Sequence, residues 1–285
     1  DLIEAPEILL SPGLFDGYSA RLIESRGFKS GAISGAGLSE CHLGYPDRGL
    51  MGFEENLSNC RAIADCCDLL LHADADTGYG EALNVMRTVR ELEMAGAAAI
   101  QIEDQKMPKK CGHLNNKQLI NPEEMSLKIA AAISARSHAR IIARTDAFAS
   151  EGLDSAIKRA QQYVNAGADI VFADGLAEKI DFETFSSKVN APALANMTEF
   201  GKTPYYTAEQ FEEMGYRIII WPVSQLRVAL KAMEELYETI ASEDGTKSQK
   251  QKMKTRSELY ELIGYFNYEA LDQSIIKSIL PDISE

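Results

Sequence analysis

Glu103-Asp104-Gln105-Lys106, followed by Lys109-Lys110-Cys111-Gly112-His113, brings two carboxylates, three ammonium groups, a thiol and an imidazole into eleven residues. Positive charge nearby lowers a thiol's pKa toward neutrality, so Cys111 is a candidate proton donor or nucleophile. Lys109 and Lys110 could be solvated loop charges, but the adjacent Cys, Gly and His favour a part in the chemistry. The preceding run Ala97-Ala98-Ala99-Ile100-Gln101-Ile102 reads as a buried strand. The cluster therefore starts where a strand yields to a loop, which is where α/β proteins place their reactive groups.

A repeated unit positions that strand. A helical stretch ends at a glycine, a short apolar strand follows, and a polar residue closes it. The unit occurs at Gly27, Gly96 and Gly167, with a looser copy at Gly215. Glycine most easily takes the left-handed conformation that ends a helix. Continuous apolar strands imply burial on both faces, as in a parallel sheet. Further strands are expected at 7–11, 69–73, 140–144 and 192–196, and helices at 83–94, 122–134, 153–166 and 225–242. Asn121 before Pro122, with Glu124 in the first turn, marks one helix start. Eight β/α units in about 225 residues predict a (β/α)₈ barrel, an α/β fold. A doubly wound open sheet is the alternative, although no glycine-rich phosphate loop follows any strand. We expect residues 1–285 to form one barrel domain with 243–285 as a C-terminal helical extension. The stretch 243–254 is polar and reads as a linker or turn. The aromatic stretch 259–268 should pack on the barrel or on a neighbouring subunit.

In a parallel barrel the carboxyl ends of the strands converge on one face. The polar residues there are Ser34, Asp74, Asp76, Glu103, Arg144, Asp146, Asp174 and Asn196. Most are acidic, and crowded carboxylates repel unless a cation lies among them. Oxygen-rich ligation with few histidines suits Mg²⁺ or Mn²⁺. Asp74-Ala75-Asp76 is the best metal pair, since alternation along an extended strand puts both side chains on one face. Gly78 and Gly80 allow close backbone approach to a ligand. Asp146 could equally be a helix N-cap. His42, His72 and His138 lack ligand spacing and read as structural or surface residues.

The net charge of −14 argues against a nucleic-acid partner or a membrane surface. No apolar run approaches a membrane span, and no basic-then-apolar leader opens the sequence. Cys41, Cys60, Cys66, Cys67 and Cys111 are odd in number and irregular in spacing. They predict reduced thiols in a cytoplasmic protein, with Cys60, Cys66 and Cys67 as small core residues. The lack of a CxxC pair disfavours zinc.

Several stretches resemble the isocitrate lyase/phosphoenolpyruvate mutase superfamily: Ser34-Gly35-Ala36-Gly37, Leu43-Gly44-Tyr45-Pro46-Asp47, Asp74-Ala75-Asp76-Thr77-Gly78-Tyr79-Gly80 and Glu103-Asp104-Gln105. Lys109-Lys110-Cys111-Gly112-His113 is similar to its lyase signature. Arg144-Thr145-Asp146, Asn196-Met197-Thr198-Glu199-Phe200-Gly201 and Thr255-Arg256-Ser257-Glu258-Leu259-Tyr260 resemble the methylisocitrate lyase branch. The likeness covers nearly the whole chain. It implies a barrel with its last helix swapped between subunits, a homotetramer built as a dimer of dimers, Mg²⁺, and a small carboxylate substrate. The mutase branch lacks Cys-Gly-His on its loop, so Cys111 implies carbon–carbon cleavage. The implied reaction splits a 2-hydroxy di- or tricarboxylate, 2-methylisocitrate-like, into pyruvate and succinate. Dimethylmalate cleavage, oxaloacetate hydrolysis or decarboxylation, and phosphonate processing are the alternatives within the superfamily.

The resemblance also implies roles. Cys111 would give a proton to the carbanion, with Lys109 and His113 in the catalytic group. Ser34, Gly35 and Ala36 would bind the 2-oxo end, and Gly112, Arg144, Asn196, Thr198 and Arg227 the rest of the substrate. Asp74 and Asp76 would hold the metal or its waters, with Asp47, Glu103 and Asp174 around it. The loop carrying Cys111 would close over the substrate, flanked by 106–108 and the polar run 114–117. Asp174 stands where this branch usually has Glu, a carboxylate set back by one methylene.

Overall fold

The computed structural model describes residues 2–112, 114 and 116–279. The chain divides into two compact units, Asp1–Arg227 and Val228–Glu285, with the boundary inside the helix Ser224–Glu243. The first unit holds eight parallel strands: β1 (Leu9–Leu14), β2 (Ser30–Ile33), β3 (Leu70–Asp74), β4 (Ala97–Glu103), β5 (Arg140–Thr145), β6 (Ile170–Ala173), β7 (Leu194–Asn196) and β8 (Ile218–Trp221). Their order around the sheet is β6-β5-β4-β3-β2-β1-β8-β7. A bridge between Val171 and Ala193 joins β6 to β7, so the sheet is a nearly closed barrel, not an open doubly wound one.

The glycine signal places the helix ends. Gly27, Gly96, Gly167 and Gly215 all have positive φ, from 82° to 109°. Side chains there would meet strain, and at Gly96 a Cβ would also press on Ala64. Asn121 does precede the helix Pro122–Ala135, but it caps by its extended backbone without a side-chain hydrogen bond. β1 runs three residues past the expected 7–11, through Pro12. The Leu9 N–H donates to Arg217 O, the residue just before β8, so the even-numbered residues of β1 turn their backbone groups toward β2. Pairing with β2 begins only at Gly13, so the missing N–H of Pro12 costs no ladder bond.

Ile142, Ile170, Phe172, Leu194, Ile218 and Ile220 fill the barrel interior. Two further apolar clusters join strands to helices. One centres on Leu71, Val89, Ile100 and Tyr163, the other on Phe182, Phe185, Phe211 and Tyr216. His72 is buried, and burial pushes its ring pKa down to about 4, so it is a neutral interior residue. The five cysteines are free thiols. Cys60 lies buried in the helix Phe53–Ala64, whereas Cys66 and Cys67 are half-buried in the turn that follows.

In the second unit the expected polar linker forms the 3₁₀ turn Lys247–Lys252. Lys252 pairs with Glu235 at 2.8 Å, and Gln249 donates to the Thr239 hydroxyl. Thr255 and Glu258 make a capping box for the helix Arg256–Leu262. Tyr260 stacks on Tyr265 with ring centroids 4.5 Å apart. Val228, Leu230, Tyr237, Tyr268 and Leu271 are exposed. No described helix is long and apolar enough to cross a membrane.

Candidate active site

β3 ends at Asp74, and the chain then turns sharply through residues with positive φ at Asp76 (48°), Gly78, Tyr79 and Gly80. Strand alternation therefore does not place Asp76, contrary to the sequence argument. A hydrogen-bonded turn does. Asp76 N–H donates to Asp74 Oδ1 (3.0 Å), and Asn56 Nδ2 donates to Asp74 O (2.7 Å) and Tyr79 Oη (2.8 Å). Gly35 lies so close that a Cβ there would come 2.9 Å from Asp74 Oδ2. The glycine thus brings the start of the short helix Gly35–Leu38 onto the metal-candidate carboxylate.

Lys109 is no solvated loop charge. Its side chain is 4% exposed, and its Nζ pairs with Asp47 and lies 2.7 Å from Asp76 Oδ1. Burial pushes the Asp76 carboxyl up to about 6, although the Lys109 ammonium pulls the other way. Glu103, at the end of β4, is 1% exposed, and neither carboxylate oxygen receives a hydrogen bond. Burial holds its pKa well above the usual range, with Arg144 and Lys109 opposing.

Arg144, at the end of β5, organises the other half of the face. Its Nε lies 2.9 Å from Asp146 Oδ2 and 3.3 Å from Glu103 Oε2, and its Nη2 is 2.7 Å from Asp174 Oδ2. Its guanidinium also lies over the Phe172 ring, 5.2 Å from the centroid. Asp146 is fully buried and caps no helix. Burial would raise its pKa, but Arg144 and Lys117 outweigh burial and hold it at about 2. Asp104 fixes it from behind. The Asp104 carboxylate accepts from Asp146 N–H (3.0 Å), Thr145 Oγ1 (2.7 Å), Tyr163 Oη (2.7 Å) and Arg159 Nη1 (3.3 Å).

The Cys111 loop is rooted at a narrow neck. Residues 104–106 pair antiparallel with 118–120, through Lys106 N–H to Gln118 O (2.7 Å) and Ile120 N–H to Asp104 O (3.0 Å). Gln105 then grips the outgoing strand of the loop. It accepts from Lys110 N–H and donates to Lys110 O. Cys111 is half-buried. Gly112 sits against the barrel so tightly that a Cβ there would overlap Asp174 Oδ2. His113 lies outside the described residues.

Ser34 is buried, and its hydroxyl accepts from Gly37 N–H (3.1 Å), which leaves its own hydrogen free to donate. Ala36 is half-buried, the second residue of the helix Gly35–Leu38. Asn196 closes β7, donates to Asp174 Oδ1 (3.3 Å) and accepts from Thr198 Oγ1 (2.7 Å). Arg227 is bound to Glu199, through its backbone carbonyl and at 3.7 Å through its carboxylate, and covers Phe200. It joins none of the Arg144 contacts named above.

Among the described residues, no three His, Cys, Asp or Glu side chains are placed to hold one ion together. Mg²⁺ keeps several waters and takes one or two carboxylates directly. The all-oxygen donor set and the two unbonded Glu103 oxygens fit such a hydrated ion. Asp104 and Gln105 lie in the stretch the sequence marks out, but their supporting contacts are visible only in the fold, and Lys117 carries no site role in the sequence reading. Lys117 sits in a polar run that reads as solvated, and only its burial reveals it.

The family model for phosphoenolpyruvate phosphomutase matches residues 1–241. The chain is 50% identical over 275 residues to 2-methylisocitrate lyase of Aeropyrum pernix, covering 96% of this chain and 89% of that protein. It is 46% identical over 281 residues to 2-methylisocitrate lyase of Bacillus subtilis, covering 99% and 93%. A solved structure of oxaloacetate acetylhydrolase in complex with the inhibitor 3,3-difluorooxalacetate superposes with a TM-score of 0.92 at 32% identity, covering 96% and 94%.

Proposed function

Because the chain belongs to the phosphoenolpyruvate phosphomutase family, on its 2-methylisocitrate lyase branch, we propose that it is a Mg²⁺-dependent carbon–carbon lyase. Its substrate is a 2-hydroxy tricarboxylate of the 2-methylisocitrate type, cleaved to pyruvate and succinate. The observation that carries this reading is the Cys111 loop drawn onto the acidic face, with Lys109 against Asp47 and Asp76 and Gly112 against Asp174.

Asp74 and Asp76 would hold the ion or its waters, with Glu103, Asp47 and Asp174 as the carboxylates around it. When bound, Mg²⁺ (or Mn²⁺) stabilises negative charge developing on the substrate oxygens. The chain's own residues do the rest. Ser34 Oγ–H and the backbone around Gly35 and Ala36 receive the 2-oxo end, while Arg144, Asn196, Thr198, Arg227 and His113 receive carboxylates. The hydroxyl proton passes to a carboxylate of the acidic face, the substrate oxygen becomes a carbonyl and the adjacent C–C bond breaks. Pyruvate separates, and the electron pair remains on the succinate fragment. Cys111 gives that carbon a proton and is left as a thiolate, which is reprotonated before the next turnover. Lys109 sets the loop over the acidic face, and closure keeps water from the carbanion.

The protein acts as a homotetramer, a dimer of dimers with the last barrel helix exchanged, in the cytoplasm. The exposed Val228, Leu230, Met233, Tyr237 and Ile240 on the helix Ser224–Glu243 support the association. The test is 2-oxo acid release from a panel containing 2-methylisocitrate, 2,3-dimethylmalate, isocitrate and oxaloacetate. The expected result is preference for 2-methylisocitrate, abolished by EDTA and restored by Mg²⁺. Turnover of oxaloacetate alone would replace the lyase reading with hydrolysis. Asp174, the shortened carboxylate, is where a shift toward dimethylmalate would arise.

A further inference from the structure

We propose that Lys117 is a positioning residue, a fixed post to which the Cys111 loop is fastened when it lies over the site. The inference rests on the reading that Cys111 delivers a proton from that loop. The Lys117 side chain is 1% exposed, which a surface lysine in a polar run has no reason to be. Its Nζ donates to Asp146 Oδ1 at 2.9 Å and also to the carbonyl oxygen of Gly112, the residue after Cys111.

The two ends of this bridge differ in what anchors them. Lys117 stands one residue from the neck, where the loop pairs with 104–106. Asp146 is pinned by Arg144 and, through its own N–H, by Asp104. The ammonium is therefore held from both sides by parts that need not move. Gly112 O is the movable partner, carried on the loop itself. Engaging it sets Gly112 against Asp174 and fixes the backbone that bears Cys111. A lysine suits the post. Its three donors can serve a carboxylate and a carbonyl at once from a single charged point. Without it, Asp146 keeps its two-point contact with Arg144, so the barrel face should survive the loss.

The experiment uses Lys117→Met and Lys117→Gln in the full-length enzyme. The Cys111 peptide is followed by mass spectrometry during alkylation with iodoacetamide, and the buried Cys60 serves as the folding control. Loss of the post should speed Cys111 alkylation about tenfold and lower kcat about tenfold or more, with KM within about threefold. Cys60 should stay protected in both variants. Lys117→Gln keeps a neutral, shorter N–H donor group and covers the case in which the methionine variant fails to fold. Wild-type alkylation in a folded variant would overturn the post. Faster alkylation with wild-type kcat would overturn its part in catalysis. If the wild-type enzyme cleaved no 2-hydroxy acid, the lyase reading would fail, and alkylation alone would still decide whether Lys117 holds the loop.

Discussion

Two buried glutamates at opposite ends of the barrel show what separates structure from function in this chain. Glu93 lies at the end of the helix Ala82–Met94 and is 7% exposed. Its carboxylate accepts the N–H groups of Ser137 (2.8 Å), His138 (2.6 Å) and Ala139 (2.6 Å), just before β5 begins. Burial alone would raise its pKa, but those three donors outweigh burial and lower it. Glu103, at the carboxyl end of β4, is buried still deeper and accepts no hydrogen bond at either oxygen. Its pKa is driven up by burial. A carboxylate satisfied by backbone holds the fold together. One left bare beside Asp76 and Arg144 is kept for something the chain does not itself supply.

The contrast can be broken at several points. The largest effect belongs to the reactive end. Cys111→Ser should lower kcat by about 10²–10⁴-fold with little change in melting temperature, because a serine hydroxyl is a far weaker acid. Steady-state kinetics beside thermal unfolding checks this, and undiminished cleavage would remove the proton-donor role. Next, Glu103→Gln should weaken the apparent Mg²⁺ affinity by about 10–100-fold and leave the melting temperature unchanged or higher, since burial already disfavours the charged carboxylate there. Calorimetric Mg²⁺ titration measures it, and a large loss of stability would mean Glu103 is structural after all.

At the other end the effects reverse. Glu93→Ala leaves three backbone N–H groups without their acceptor and should cost about 2–3 kcal/mol of stability. Its kcat should stay at the wild-type value, as chemical denaturation and kinetics together would show. A lost kcat in the folded variant would erase the distinction between the two ends. The smallest effect is in pH. The folded-state pKa of Glu93 lies below its ordinary 4.5, so its stabilisation is present above that value. It is lost as pH falls through the depressed folded pKa. The stability gap between wild type and Glu93→Gln should therefore be constant near neutrality and narrow below about pH 4.5. A gap that widened in acid would have the sign wrong.

The barrel was legible because its signals are local and repeated. Each glycine at a helix end needed the left-handed conformation, and each apolar run needed two covered faces. The strand-end acids were legible for the same reason, since topology alone gathers Asp74, Glu103, Arg144, Asp174 and Asn196. What sequence could not carry was set by contacts across the fold. Asp76 is aimed by a left-handed turn and Asn56, not by strand period. Asp146 reads as a helix cap until Arg144 and Lys117 are seen around it. Lys117 looks like solvent-facing loop until Gly112 and Asp146 enclose its ammonium.

The most direct test of the chemistry is cleavage of 2-methylisocitrate in D₂O with Mg²⁺, with the products read by NMR. Proton delivery to a carbanion predicts equimolar pyruvate and succinate, with one deuterium in each succinate and both products absent in EDTA. Turnover of oxaloacetate with 2-methylisocitrate left intact, or cleavage undiminished by EDTA, would contradict it.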